Sequence, residues 1–169
     1  MDLQALPSPG DLFDRKYHVV RRIAEGGMGV VYEAVHQKMN LHVALKVLHP
    51  ELVTEEIVSR FEREARAAAH LDHAHVAQVL DVDRTEAGVP YLVIELLEGA
   101  DLESELSSRG RIPIEEAVGY ILEACIPLAE AHAKGIIHRD LKPSNLFLAH
   151  KGDQRTIKLL DFGISKIIH

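Results

Sequence analysis

One cysteine, Cys125, stands alone among 169 residues, so no disulfide can form within the chain. Its neighbours Glu123, Ala124 and Ile126 read as a helix face, and the thiol is expected to be buried and inert. Nowhere do eighteen apolar residues run together, and Met1 to Gly10 lacks the basic stretch and apolar run of a secretory signal. A reducing, cytoplasmic setting without a membrane segment is the expectation. Blocks of like charge are missing too, because the formal net charge of −7 comes from acidic residues spread along the chain. Nucleic acid is therefore not an expected partner. Internal repeats and low-complexity segments are also lacking.

What is present can build a core: 47% of the residues are apolar, enough for one ordinary domain or two small lobes. Residues 1–16 contain Pro7, Pro9 and Gly10 and read as a flexible leader. From Tyr17 to Ile23 β-formers dominate, Glu25-Gly26-Gly27-Met28-Gly29 interrupts, and Val30 to Val35 resumes, which predicts a hairpin with a glycine-rich turn. His42 to Leu48 predicts a third strand, with Val43, Leu45 and Val47 on one face and Ala44 and Lys46 on the other. A helix start follows at Thr54, Glu55 and Glu56, and Ile57, Phe61, Ala65 and Ala68 then fall at helical spacing as far as about His70. Glu64 lies beside that apolar stripe, placed to point inward. Two more strands are predicted at Val76–Val82 and Val89–Leu96, joined by a turn at Thr85 to Gly88. Beyond Gly99 the pattern is mostly helical, ending in a long helix from Ile114 to about Lys134. Pro127 inside that helix costs about 3 kcal/mol unless the helix kinks.

The strongest chemical signal is His138-Arg139-Asp140-Leu141-Lys142-Pro143-Ser144-Asn145, followed after a strand pair by Asp161-Phe162-Gly163. Two carboxylates, an amide and a lysine on short polar loops are what phosphoryl transfer requires. They supply metal ligands, a group to orient the attacking hydroxyl, and positive charge for the moving phosphoryl. The glycine-rich turn is weak evidence alone. Its weight comes from lying between two strands and ahead of Val43-Ala44-Leu45-Lys46, where backbone amides can close over phosphates.

Taken together, these motifs resemble the eukaryotic-type serine/threonine protein kinases, and Glu25 to Tyr32 is most similar to their bacterial branch. The likeness runs in order over nearly everything from Tyr17 onward. It implies an α+β, two-lobe fold: residues 17–97 as an ATP-binding lobe with a five-stranded antiparallel sheet and one helix, and residues 98–169 as part of a mainly helical second lobe. ATP and Mg2+ are the implied cofactors, and serine or threonine hydroxyls of proteins the implied acceptors. By this resemblance Lys46 holds the α- and β-phosphates and Glu64 pairs with it, while Gly26, Gly27 and Gly29 cover the phosphates. Ala24 stands where the pattern has its first glycine, which is tolerable if its φ is negative. Asp161 and Asn145 are the implied Mg2+ ligands, Asp140 the residue that orients the substrate hydroxyl, and Lys142 the neutralising charge on the γ-phosphoryl. Val31 and Ala44 with Leu146 or Phe147 would enclose adenine, backbone groups of Glu95 to Leu97 would bond its edge, and Ile94 would guard the back of the pocket. His138 and Phe162 are expected to pack. His70, His73 and His75 fall in a stretch similar to the family's loop after the helix, and no metal is expected there.

Only eight residues follow Asp161. The expectation is a kinase domain truncated shortly after Asp-Phe-Gly, with an apolar face of the long helix left open to water. One reading makes the chain part of a serine/threonine kinase, itself limited to Mg-ATP binding. The other makes it a non-catalytic nucleotide-binding or partner-binding module. Lys46, Glu64, Asp140, Asn145 and Asp161 together favour the first, since a binding module would not need them all.

Overall fold

In the computed structural model, which describes residues 6–162, the alternating runs become strands. The described residues divide into two compact units, 6–66 with 79–96 and 67–78 with 97–162. Gly163 and the residues after it, part of the motif reading above, lie outside the described residues.

The first unit is an antiparallel sheet of β1 (Leu12–Phe13), β2 (Tyr17–Gly26), β3 (Gly29–His36), β4 (Leu41–Leu48), β5 (Val79–Arg84) and β6 (Pro90–Glu95). Its spatial order is β1-β2-β3-β4-β6-β5. One face carries the core, with Tyr17, Val19, Val30, Tyr32, Ala34, Val43, Leu45, Val47, Tyr91 and Val93 all buried. Each such valine or leucine side chain stabilises the fold by about 1.5–3 kcal/mol when fully buried. The sheet has six strands where five were expected, because the stretch read as a leader supplies an edge strand: Leu12 pairs opposite His18 and Phe13 opposite Tyr17. Phe13 meets the Tyr91 ring edge-on at 5.1 Å. Beside it the Tyr91 hydroxyl donates to Asp14 Oδ2 at 2.6 Å, and Lys16 Nζ donates to Asp83 Oδ2 at 2.6 Å. Asp14 and Arg15 adopt left-handed backbone to make this turn.

Helix α1 (Glu55–Ala69) begins where the carboxylates and Thr54 indicated, with the Ile57 amide donating to Thr54 Oγ1 at 3.3 Å. Val58, Phe61, Ala65 and Ala68 are buried. An ion pair between Arg84 and Glu62 ties the helix to β5.

In the second unit, α2 (Leu102–Arg109) is capped by Asp101, whose carboxylate accepts from the Ser104 amide at 2.9 Å. Helix α3 (Ile114–Ala133) runs unbroken through Pro127, which is buried together with Ala124 and Ala131. Cys125 points the other way and is exposed, contrary to the expectation of a buried thiol. It shares that side with Leu122 and Ile126, 63% and 54% exposed, so the helix turns its bulkier apolar side chains to water. A small sheet, β7 (Gly99–Asp101), β8 (Leu146–Lys151) and β9 (Gln154–Leu159), completes the unit. Gly99, read from sequence only as a break, has φ 136°, and a Cβ there would lie 2.1 Å from the Leu148 carbonyl oxygen. Only glycine allows β7 to approach β8. No helix among the described residues is long and apolar enough to cross a membrane.

Candidate active site

Strand register decides which side chains of the first unit share a face. Ala24 lies opposite Val31, Val31 opposite Lys46, Ala44 opposite Ile94 and Lys46 opposite Leu92. Directly paired residues project to the same side of an antiparallel sheet. Ala24, Val31, Ala44, Lys46 and Ile94 are thus gathered on the face away from the Tyr17–Val93 core. Glu95 ends β6 opposite Val43. Lys46 is only 8% exposed, an unusual burial for an ammonium on a sheet. Glu64 comes from α1: its Oε1 accepts from Arg60 Nε at 3.4 Å, and its Oε2 is buried with no hydrogen-bond partner. Such an unsatisfied carboxylate oxygen costs about 1–3 kcal/mol.

The glycine-rich turn closes where Gly26 faces Gly29. A Cβ on Gly29 would sit 2.2 Å from the Val47 carbonyl oxygen, so the turn packs on β4 only as glycine. A Cβ on Gly26 or Gly27 would meet nothing within 4 Å. That side of the turn is open, as a surface for a bulky anion must be. Ala24 is not among the residues with positive φ, so its methyl carries no backbone strain. From the end of β4, His49 reaches the turn twice. Its amide donates to the Met28 carbonyl at 2.9 Å, and its ring Nε2 lies 2.9 Å from the Gly26 carbonyl oxygen.

In the second unit the segment after α3 is folded around its own side chains. Gly135, at φ 73°, ends the helix, and Arg139 takes φ 64°, a left-handed conformation rare for a non-glycine residue. His138 is 2% exposed, and its Nε2 is 2.7 Å from the Leu160 carbonyl oxygen. A carbonyl only accepts, so Nε2 carries the proton, and Nδ1 is left to accept the Asp140 amide at 3.4 Å. Burial pushes the imidazole pKa below its ordinary value, which agrees with that neutral tautomer. The ring also packs on Phe162, with centroids 4.8 Å apart. His138 therefore packs, as expected, and in addition joins Asp140 to the residue just before Asp161.

Asp140 is the hub of this loop. Asn145 Nδ2 donates to its carbonyl at 2.7 Å and to its Oδ2 at 3.1 Å, and Lys142 Nζ lies 3.1 Å from the same Oδ2. Asn145 sits in a 3-10 turn, Pro143–Asn145, and its own carbonyl accepts from the Leu160 amide at 3.0 Å. Both amide hydrogens of Asn145 point at Asp140, which directs its Oδ1 elsewhere. Asp161 has φ 53°, a second strained residue beside the first loop. Phe147 and Leu97 are half-buried in this unit, and Leu146 is buried. Asp140, Lys142 and Asn145 are thus brought together, with Leu160 and Asp161 joined to them through His138. The anchoring roles of His138 and His49 were missed in the sequence, because a histidine bonding a distant carbonyl leaves no local signal.

The protein kinase domain family matches residues 17–169. Pkn1, a serine/threonine-protein kinase of Myxococcus xanthus, is 40% identical over 153 residues, covering 89% of this chain and 22% of that protein. The probable serine/threonine-protein kinase pknA2 of Bifidobacterium longum is 36% identical over 94% of this chain and 21% of its own length. The serine/threonine-protein kinase PknA of Mycobacterium tuberculosis is 38% identical over 96% of this chain and 38% of its own length. The crystal structure of the M. tuberculosis PknI kinase domain superposes with a TM-score of 0.81 at 32% identity, covering 94% of this chain and 64% of that one. The chain therefore spans about a fifth to two fifths of these curated relatives.

Proposed function

Because the chain belongs to the protein kinase domain family, we propose that it carries the Mg-ATP-binding residues and the catalytic loop of a serine/threonine protein kinase. Nucleotide binding is proposed for these 169 residues, and phosphoryl transfer to protein serine or threonine hydroxyls for the whole kinase domain. The observation that carries the reading is the convergence of Asn145 and Lys142 on one carboxylate oxygen of Asp140.

Each group has a task that its geometry suits. Asp140 Oδ2 accepts from Asn145 Nδ2 and lies 3.1 Å from Lys142 Nζ, which fixes the carboxylate that would orient a substrate hydroxyl and take its proton. Lys142, half-exposed on the loop, balances charge at the phosphoryl being transferred. Lys46 presents a cation from the sheet face that also holds Val31 and Ala44, the residues assigned to adenine. The partnerless Oε2 of Glu64 suits an ammonium, and Lys46 is the cation proposed to meet it. The open side of Gly26 and Gly27 leaves backbone amides for phosphate oxygens.

The donor set also fits Mg2+. Asn145 spends its nitrogen on Asp140 and keeps its carbonyl oxygen, and Asp161 supplies a carboxylate; both are hard oxygen donors of the kind that ion takes. When bound, the ion neutralises phosphate charge and holds the phosphates for in-line attack.

Phosphate incorporation from γ-labelled ATP into a serine- and threonine-containing protein mixture, followed by identification of the modified residue, tests the reading. Asp140→Asn should remove most of the labelling in the whole domain. Full activity in that variant would remove Asp140 from the mechanism. Labelling confined to tyrosine would overturn the role of Lys142. Binding of ATP with no transfer by the whole domain would favour a non-catalytic nucleotide-binding module.

A further inference from the structure

We infer that His49 is a positioning residue for the glycine-rich turn, holding it in the shape in which its amides can cover nucleotide phosphates. The inference rests on the Mg-ATP reading of that turn. Three of the four residues from Gly26 to Gly29 are glycine, the residue with most conformational freedom to lose. A turn of this composition needs restraint from outside. Gly29 receives it from close packing on the Val47 carbonyl. Gly26 and Met28 receive it from His49, through the ring bond to the Gly26 carbonyl and the amide bond to the Met28 carbonyl, both 2.9 Å.

His49 is itself well held. Its carbonyl accepts the Leu52 amide at 2.9 Å, closing the 3-10 turn Pro50–Leu52, so the backbone is fixed immediately after β4. The side chain is 13% exposed, and Glu51 Oε1 lies 3.9 Å from its Nδ1. Because the Gly26 carbonyl can only accept, the ring must carry its proton on Nε2. A donor fixed at the end of β4 thus couples the position of the turn to the strand that carries Lys46. The ring touches the outer carbonyl side of the turn and leaves the open side of Gly26 and Gly27 to a ligand.

Calorimetric titration of the chain with Mg-ATP and with adenosine, which lacks phosphates, separates a positioning role from a general one. For His49→Ala, Mg-ATP affinity should fall about threefold to tenfold, the value of one hydrogen bond, while adenosine affinity stays within about twofold. His49→Gln, whose amide can donate to the same carbonyl, should recover most of the loss. Equal losses for both ligands, or no loss for either, would overturn the inference. Hydrogen exchange of the ligand-free chain gives an independent readout: the amides of Gly27 to Gly29 should exchange faster in His49→Ala and near the parent rate in His49→Gln. Unchanged exchange would overturn the brace. If the parent chain binds neither ligand, the nucleotide reading fails, and the exchange measurement still decides whether His49 restrains the turn.

Discussion

Asn145 donates its side-chain amide to Asp140 twice, to the main-chain carbonyl at 2.7 Å and to the carboxylate Oδ2 at 3.1 Å. One buried side chain therefore fixes both the backbone and the rotamer of the acid at the centre of the loop. Structure and proposed chemistry meet in this pair, since the same amide that orients Asp140 also determines where its own oxygen points.

The Asn145→Ala chain should lose about 1–3 kcal/mol of stability, because the Asp140 carbonyl and carboxylate lose the Asn145 donor in a part-buried site. Urea unfolding measures this. In the same variant the Mg2+ dependence of ATP binding should weaken, whereas binding of metal-free nucleotide should change little. A variant as stable as the parent would show that the loop replaces the bond with water.

Glu64 separates stability from function. Its Oε2 is buried without a hydrogen-bond partner, so replacing the carboxylate by an apolar side chain of similar length relieves an unfavourable burial. Glu64→Met should unfold at the same denaturant concentration as the parent or at a higher one, yet bind ATP more weakly. Lys46→Met should weaken ATP binding more strongly and leave adenosine binding largely intact, since only the phosphates are proposed to meet the ammonium. Isothermal titration with both ligands checks each variant. Equal ATP affinity in Lys46→Met and parent chains would remove the phosphate role.

Much of this was legible in the chain because it depends on order and parity. Strand alternation alone put Lys46 and Ala44 on one face and Val43, Leu45 and Val47 on the other, and the register agrees. The loop motif from His138 to Asn145 was likewise readable, because its residues are neighbours in sequence. What stayed hidden depends on distant partners. The strand Leu12–Phe13 has only two residues, and beyond its short pairing with Tyr17 and His18 the contact that seats it is the Phe13 ring on Tyr91, nearly eighty positions away. No local pattern announces such an element. The misplaced burial of Cys125 has a similar origin: helical spacing identifies an apolar stripe on α3, but which side meets the core is a tertiary fact. Here the small residues Ala124, Pro127 and Ala131 are buried, and larger neighbours face out.

The link between α2 and α3 should be sensitive to acid. Arg109 bonds Glu116 through both ends of its guanidinium, at 2.7 Å each, and Tyr120 donates to the same carboxylate. The Arg109 bond first, and the Tyr120 bond after it, hold the Glu116 pKa down to about 2 from its ordinary 4.5. A folded pKa below the unfolded one means stability that is full above about pH 4.5 and lost as the pH falls towards 2. Arg109→Ala should make the decline of stability over that range shallower, and added salt should do the same in the parent, because the pair is solvent-accessible. Denaturant midpoints measured across the range check both statements. Identical slopes in parent and variant would mean that the pair is not maintained in solution.

His138 gives a pH dependence in a higher range. Burial lowers its folded pKa below the 6.5 of the unfolded chain, against the opposing effects of the Leu160 hydrogen bond and the Asp161 and Asp140 carboxylates. A lowered histidine pKa contributes stability that is complete above pH 6.5 and is lost as the pH falls from there towards the folded value, because the unfolded chain takes up the proton first. Protonation would also put a hydrogen on Nδ1, where the Asp140 amide now donates, and so would disturb the loop at its central acid. The comparison to make is the parent with His138→Phe, since ten other histidines titrate in both. At pH 8 the variant should be less stable by about 1–3 kcal/mol, with the Leu160 carbonyl left unbonded. Between pH 7 and 5 the gap should narrow, because only the parent loses the His138 contribution. Nitrogen-15 spectra of the imidazole should find the proton on Nε2 at pH 8. A gap constant with pH, or a proton on Nδ1, would show that burial does not control this ring.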